Sequence, residues 1–232
     1  MQKKNSDKTL YKLFAFLFII GSLILSIHFW SFNESFYRSE HSKLTLYGKS
    51  IAEHIGISES DLDKLTHFTL SYLNDPKASL DIQMSVNGQM REIFTDDEKL
   101  HMIDVRNLNL AANYIGIFCL FTTVFAIVHA VKKKQLSLLF DSYKKVLIYA
   151  AAVLAVLGVW ILIDFDSFWT MFHHVFFPSN DLWLLDLRKD ILIMIVPPEF
   201  FNHLVITIVV TFIVLLAAAY FILRAVSRKG GL

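Results

Sequence analysis

The stretch Asn107-Leu-Asn-Leu-Ala-Ala-Asn-Tyr-Ile-Gly-Ile-Phe-Cys-Leu-Phe-Thr-Thr-Val-Phe-Ala-Ile-Val-His-Ala-Val131 contains no Asp, Glu, Lys or Arg. A hydrocarbon core of roughly 30 Å is crossed by about 20 helical residues, so this run can span a membrane. Three more uncharged runs can do the same: Leu13 to Asn33, Val146 to Ile163 and Phe200 to Leu223. They explain why the 232 residues are 55% hydrophobic and only 19% charged, with a mean hydropathy of +0.49. A soluble domain does not have that composition. The chain is predicted to be an all-α polytopic membrane protein with four transmembrane helices.

The charges between these runs set an orientation. Lys3, Lys4, Lys8 and Lys12, then Lys132, Lys133, Lys134, Lys144 and Lys145, then Arg224, Arg228 and Lys229 make up 12 of the 22 basic residues, and only Asp7 and Asp141 oppose them. The other 10 basic and 19 acidic residues fall in the two remaining connecting segments. By the positive-inside rule both termini are cytoplasmic and those segments lie outside. The expected organisation is 1–33, cytoplasmic N-terminus and first transmembrane helix; 34–106, an extracytoplasmic cap with the start of the second helix; 107–163, second and third helices with a basic cytoplasmic loop; 164–199, an extracytoplasmic interfacial loop; and 200–232, the fourth helix and a cytoplasmic tail. The first run is too long and Phe-rich for a signal peptide, and no small-x-small site precedes Glu34, so it reads as an uncleaved anchor.

The single cysteine, Cys119, excludes an internal disulfide and a multi-cysteine metal site, and its place in mid-span excludes a water-exposed thiol nucleophile. No Gly-x-Ser-x-Gly, P-loop or Rossmann fingerprint occurs, which disfavours serine-hydrolase and nucleotide chemistry. The outward acidic surface offers nothing to nucleic acid, and the lysine triplet suits topology and anionic membrane lipids.

The first outer segment predicts a small α+β cap that leans on the membrane, being too small for a deep core of its own. Ser58-x-x-Asp61 and Ser60-x-x-Asp63 resemble helix caps; Leu62, Leu65, Thr69 and Tyr72 or Leu73 follow at helical spacing until Asn74-Asp75-Pro76. Leu80, Ile82, Met84 and Val86 then alternate with polar residues, Asn87-Gly88 suits a type I′ turn, and Met90 to Phe94 can return. Thr95-x-x-Glu98 forms a capping box, so the second transmembrane helix is predicted to begin well outside the membrane. With the hydrocarbon edge near Leu108, His101 stands roughly 10 Å above it. Asp104, at i+3, shares its helical face and is expected to hold one ring nitrogen and fix the tautomer.

The second outer segment is unusually greasy: Ser167-Phe-Trp-Thr-Met-Phe-His-His-Val-Phe-Phe177, Trp183-Leu-Leu, and Ile191-Leu-Ile-Met-Ile-Val-Pro-Pro198. It reads as short pieces lying in or dipping into the interface, lining a cavity. His101 and either His173 or His174 are therefore candidate reacting groups at one depth, against the blander reading of interfacial anchors. His28, His129 and His203 near span ends read as snorkelling or interhelical groups, and His41, His54 and His67 as solvated. A zinc site of His101, Asp104 and His173 or His174 is chemically allowed but matches no zincin spacing. No metal or other cofactor is expected.

Glu98-Lys-Leu-His-Met-Ile-Asp-Val105, Phe172-His-His-Val-Phe-Phe177, Asn180-Asp-Leu-Trp183, Leu185-Asp186, Asp190-Ile-Leu-Ile193 and Pro198-Glu-Phe-Phe201 together resemble a bacterial family of four-span membrane proteins. The characterised members of that family are lipoprotein intramolecular transacylases. The resemblance implies an enzyme of the cytoplasmic membrane acting on a diacylated bacterial lipoprotein. It would move the sn-2 acyl chain to the amine of the N-terminal cysteine and leave a lyso-form lipoprotein. The family's histidine dyad would fall on His101 and His173, with His174 adjacent. On this reading His101, oriented by Asp104, is the base; Asp186 and Asp190 support the His173 region by capping short helices or pairing with Arg188, Lys189 or Arg106; and Phe172, Phe176, Phe177 and Trp183 wall the acyl chains. Competing readings are a non-catalytic membrane protein binding a lipid or protein partner through its cap, and a metal-dependent hydrolase.

Overall fold

The computed structural model describes residues 2–229, with side chains from 6 to 228. Lys3, Lys4 and Lys229, which count in the charge asymmetry, lie outside the residues whose side chains are described, as do residues 1 and 230–232. In chain order the elements are α1 Gln2–Ser31, α2 Glu34–His41, β1 Thr45–Leu46, β2 Lys49–Ser50, α3 Ile51–Ile55, α4 Glu59–Asn74, β3 Gln83–Val86, β4 Gln89–Glu92, α5 Asp96–Lys132, α6 Leu136–Ile163, α7 Phe165–Phe176, α8 Ile191–Ile195 and α9 Pro198–Lys229. Helices α1, α5, α6 and α9 are the four long, apolar elements that cross the membrane. At 37 residues and 1.5 Å each, α5 is about 55 Å long, far more than a bilayer core requires.

The chain divides into two compact units. The first comprises 1–28, 112–168 and 207–232. Its outward face is apolar, Leu162 and Ile163 each being 80% exposed, as suits side chains that meet lipid. Helices α1 and α5 approach so closely that a Cβ on Gly21 would lie 2.7 Å from Cys119 Cβ, so only glycine is accommodated there. Polar groups find partners across the bundle: Tyr143 Oη donates to the Leu216 carbonyl at 2.8 Å, and Tyr11 Oη to Gln135 Oε1 at 2.9 Å. Such bonds between membrane helices contribute about 0.6–2 kcal/mol each.

The second unit comprises 29–111 and 169–206. Ser58 caps α4, its Oγ accepting from the Asp61 amide, an arrangement worth about 1 kcal/mol; Ser60 lies inside the helix. Asn87 and Gly88, with φ of 52° and 82°, turn β3 into antiparallel β4, the I′ geometry expected for Asn-Gly. A second, two-residue hairpin pairs β1 with β2 through Tyr47-Gly48, a turn the sequence reading missed. Thr95 Oγ1 accepts from the Glu98 amide and Glu98 Oε2 accepts from the Thr95 amide, completing the capping box that starts α5.

One expectation for the second unit is corrected. Ile191, Leu192, Met194 and Ile195 of α8 are not interfacial; they sit in one buried cluster with Ile51, Leu62, Leu65, Val86, Phe94 and Met102. An apolar run satisfies a protein core as readily as a lipid boundary, and here the small α+β unit supplies the surface it covers. The first of the pieces, read over Ser167 to Phe177, is the 12-residue helix α7, Phe165–Phe176.

Candidate active site

The second unit brings His101 on α5 and His173 on α7 together. Their ring centroids are 6.3 Å apart and the rings are 7% and 6% exposed. Phe177 packs against both, 5.4 Å from His101 and 5.8 Å from His173. Trp183 stacks on His173 at 4.7 Å, Trp169 meets it edge-on at 4.8 Å, and Phe172 lies 5.4 Å away. His174, the neighbouring alternative, is exposed and meets Trp183 edge-on. Successive residues of a helix point about 100° apart, so only one of two adjacent histidines can face α5.

The two imidazoles differ in what holds them. His173 Nδ1 lies 2.8 Å from the Trp169 carbonyl, one turn earlier on α7. A carbonyl only accepts, so Nδ1 must carry the proton and Nε2 is left with the lone pair. Burial in the aromatic cage pushes the His173 pKa below its ordinary 6.5, and the carbonyl bond offsets this only in part. The ring is therefore a neutral base with its basic nitrogen specified by the backbone. His101 Nδ1, by contrast, is buried with no hydrogen-bond partner among the described residues, as is the indole Nε1 of Trp183. Buried polar atoms are nearly always paired, and those left unpaired are candidates for meeting a ligand.

Asp104 does not orient His101. Its Oδ2 accepts from Asn180 Nδ2 at 3.0 Å, while Asn180 Oδ1 accepts from the Leu182 amide, so the carboxylate anchors the loop after α7. Spacing of i+3 put the two side chains on one face, but a nearer amide took the carboxylate. Asp186 and Asp190 take two of the partners expected of them, Arg188 at 2.9 Å and Lys189 at 4.0 Å, and their other bonds also stay within one turn. Asp186 accepts from the Arg188 amide and guanidinium, which holds its carboxyl down at about 2. Asp190 Oδ2 accepts from the Asp186 amide and makes no cap bond to α8. Arg106 pairs with neither; it donates to the Ala78 carbonyl and lies over the Tyr72 ring.

Phe176 and Phe177, with Leu108, line a cavity of about 230 Å³ whose polar wall is Asp104, Asn107 and Ser179. Phe172 stacks on Trp169, so the four proposed wall residues do gather around His173, Phe172, Phe177 and Trp183 by direct ring contact and Phe176 through Phe172. Among the described residues no group of three His, Cys, Asp or Glu is arranged to hold a metal ion; the Asp104 carboxylate of the conjectured zinc set is turned to Asn180.

Glu98 was read only as a capping residue and does more. It is fully buried, and its Oε1 accepts from the Leu192 amide at 2.7 Å, tying the turn that precedes His101 to α8. His41, expected to be solvated, is 5% exposed and donates from Nε2 to the Ile195 carbonyl at 2.9 Å. Exposed His67 does meet water, paired with Glu34.

The sequence matches the lipoprotein intramolecular transacylase family, Lit, over residues 12–201. Among solved structures, the membrane-integral lipoprotein intramolecular transacylase Lit of Bacillus cereus superposes with a TM-score of 0.77 at 19% identity, covering 97% of this chain and 99% of that one. Structures of the same protein with a histidine changed to alanine and with a histidine changed to arginine give TM-scores of 0.73 and 0.71, each at 19% identity, covering 98% of this chain and 96% of that one. No curated protein sequence matches. At that identity the superposition speaks for the shared four-helix membrane fold, and the family match for kinship.

Proposed function

The chain belongs to the lipoprotein intramolecular transacylase family, and from that premise we propose that it moves the sn-2 acyl chain of a diacylglyceryl lipoprotein to the amine of the lipoprotein's N-terminal cysteine, leaving the lyso form. The observation that carries this reading is the pair of buried imidazoles, 6.3 Å apart, with the Nδ1 of His173 engaged and its Nε2 basic.

Nucleophile and electrophile belong to one substrate molecule, so the reaction needs positioning more than a protein nucleophile, and the lack of an accessible cysteine or a serine motif fits. The amine attacks the ester carbonyl and its proton passes to Nε2 of His173. That reverses the assignment drawn from spacing, which gave the base role to His101. His101 donates to the oxyanion and hands its proton to the departing glyceryl oxygen. The proton held by His173 then restores His101, so none is gained or lost overall. Each of these duties contributes about 10²- to 10⁴-fold. Phe172, Phe176, Phe177 and Trp183 form the apolar wall for the migrating chain. The charge asymmetry supports cytoplasmic termini and a site facing outward from the bacterial cytoplasmic membrane.

Mass spectrometry of a diacyl reporter lipopeptide incubated with the purified protein tests the reading. Acyl migration yields a product of unchanged mass whose fragmentation places one chain on nitrogen. Release of free fatty acid would make the protein a hydrolase, and an unchanged peptide would make it a binder.

A further inference from the structure

The cavity beside the two histidines has a charged side chain with no task in the chemistry above. Asp104 gives one carboxylate oxygen to Asn180; the other, Oδ1, makes no hydrogen bond among the described residues. Asp104 lines the 230 Å³ cavity together with Asn107, Ser179, Leu108, Phe176 and Phe177. Phe177 is also the ring that touches both His101 and His173. A half-buried carboxylate with a vacant acceptor, two further polar groups and an apolar back wall match the chemistry of a primary ammonium on a short apolar stem. At about 30 Å³ per water, the space takes a small polar head and its first carbons.

We propose that Asp104 is the recognition residue for the free α-ammonium of the substrate's N-terminal cysteine, with Asn107 and Ser179 completing its hydrogen bonds. This rests on the acyl-transfer reading and deepens it, since an α-amine of pKa about 7.7–8.0 is largely protonated at neutral pH. A charge-assisted pair with Asp104 holds the nitrogen beside the imidazoles in its resting form. The same pair favours the protonated amine, so it aids binding and not the chemical step. Asp104 is a specificity determinant; the ammonium gives its extra proton to bulk water on leaving it, and the neutral amine then attacks, passing its second proton to His173.

The test measures binding of two probes to the purified protein in phosphatidylcholine nanodiscs: a dipalmitoylglyceryl-cysteinyl peptide with a free amine, and its N-acetyl analogue. The wild type is expected to prefer the free amine by roughly 10- to 100-fold, the range of a hydrogen bond to a charged group. Asp104→Asn, which keeps an acceptor for Asn180, should abolish that preference and raise KM with kcat unchanged or higher, and Asp104→Glu should restore part of it. Equal affinity of the wild type for both probes, or a preference that survives in Asp104→Asn, overturns the inference. So does a preference lost when half the phosphatidylcholine is replaced by phosphatidylethanolamine, which would assign the carboxylate to lipid headgroup amines. Acyl migration is read separately: a wild type that converts the peptide without discriminating between the probes sinks the ammonium site and leaves the transfer reading intact.

Discussion

Two places in the second unit bury histidine, and they are built differently. Around α2 and α9, His41 gives its Nε2 proton to the Ile195 carbonyl, and His203 Nδ1 lies 2.6 Å from Glu40 Oε2, while Lys43 holds the other oxygen of that buried carboxylate. Those bonds hold the Glu40 carboxyl below its ordinary range although burial pushes the other way. There the polar atoms named are matched to protein partners. Between α5 and α7, one His173 nitrogen is fixed by the backbone, and His101 Nδ1 and Trp183 Nε1 are left without partners. An unpaired buried donor or acceptor costs about 1–3 kcal/mol, which folding alone gives no reason to retain. Burial of imidazole is common to both places; vacancy distinguishes the second, and it is the ground on which we propose that substrate binds and reacts there.

The largest effects that could break this contrast are on catalysis. His173→Asn and His101→Gln should each slow conversion of a diacyl lipopeptide by about 10²- to 10⁴-fold, while His174→Asn, an exposed ring, should stay within a few-fold of wild type. Chromatographic separation of diacyl and lyso-form peptide over a time course measures all three. If His174→Asn is as slow as His173→Asn, the geometry has selected the wrong ring.

The acid limb of the pH–rate profile sharpens the comparison. His173 must be neutral to accept a proton, and burial lowers its pKa from 6.5, so the rate, once divided by the fraction of substrate amine that is unprotonated (pKa about 7.7–8.0), should hold through pH 6.5 and fall only on further acidification. A limb above 6.5 that remains after that correction would contradict a desolvated base. The pKa of His41 is also lowered by burial, so the unfolded chain takes up that proton first. Its contribution to stability is full above 6.5 and is lost as pH falls below it.

His41→Leu should lower thermal stability in detergent by about 1–3 kcal/mol through the stranded Ile195 carbonyl, with the rate per folded molecule unchanged. A large loss of rate at unchanged stability would erase the distinction between the two places. The smallest effect is expected at Phe176, half exposed and lining the cavity: Phe176→Leu should shift the preference among lipopeptides of different acyl length by a few-fold, a change of about 1 kcal/mol in hydrophobic contact. No shift would make it an interfacial anchor.

Much of this architecture was legible because it depends on local signals. Charge-free runs mark the four membrane helices, Asn87-Gly88 dictates a turn, and Ser58 and the Thr95–Glu98 box mark helix starts whose bonds the structure contains. The pairing of His101 with His173 followed from topology and family motifs, because the charge pattern assigns both to the segments on one side of the four spans. What stayed hidden depends on distant partners. Helical spacing put Asp104 beside His101, but only the folded chain brings Asn180 to claim its carboxylate. Hydropathy marked Ile191 to Ile195 as apolar without saying whether lipid or the α+β core would cover it. Nothing around His41 signals that the carbonyl of Ile195, 154 residues further on, waits for its proton. The fixed tautomer of His173 was within reach, since an i−4 carbonyl is available to any helical residue, but choosing that over Asp104 required knowing which ring was left unheld.

The most direct test of the account is a double-mutant cycle between the two imidazoles, read as the rate of acyl migration in a single turnover of the reporter lipopeptide. If His101 and His173 act as one unit, the His101→Gln, His173→Asn double variant should be no slower than the slower single variant, as for catalytic residues that cooperate in one step. Losses that multiply, or full activity in either single variant, would contradict a shared site.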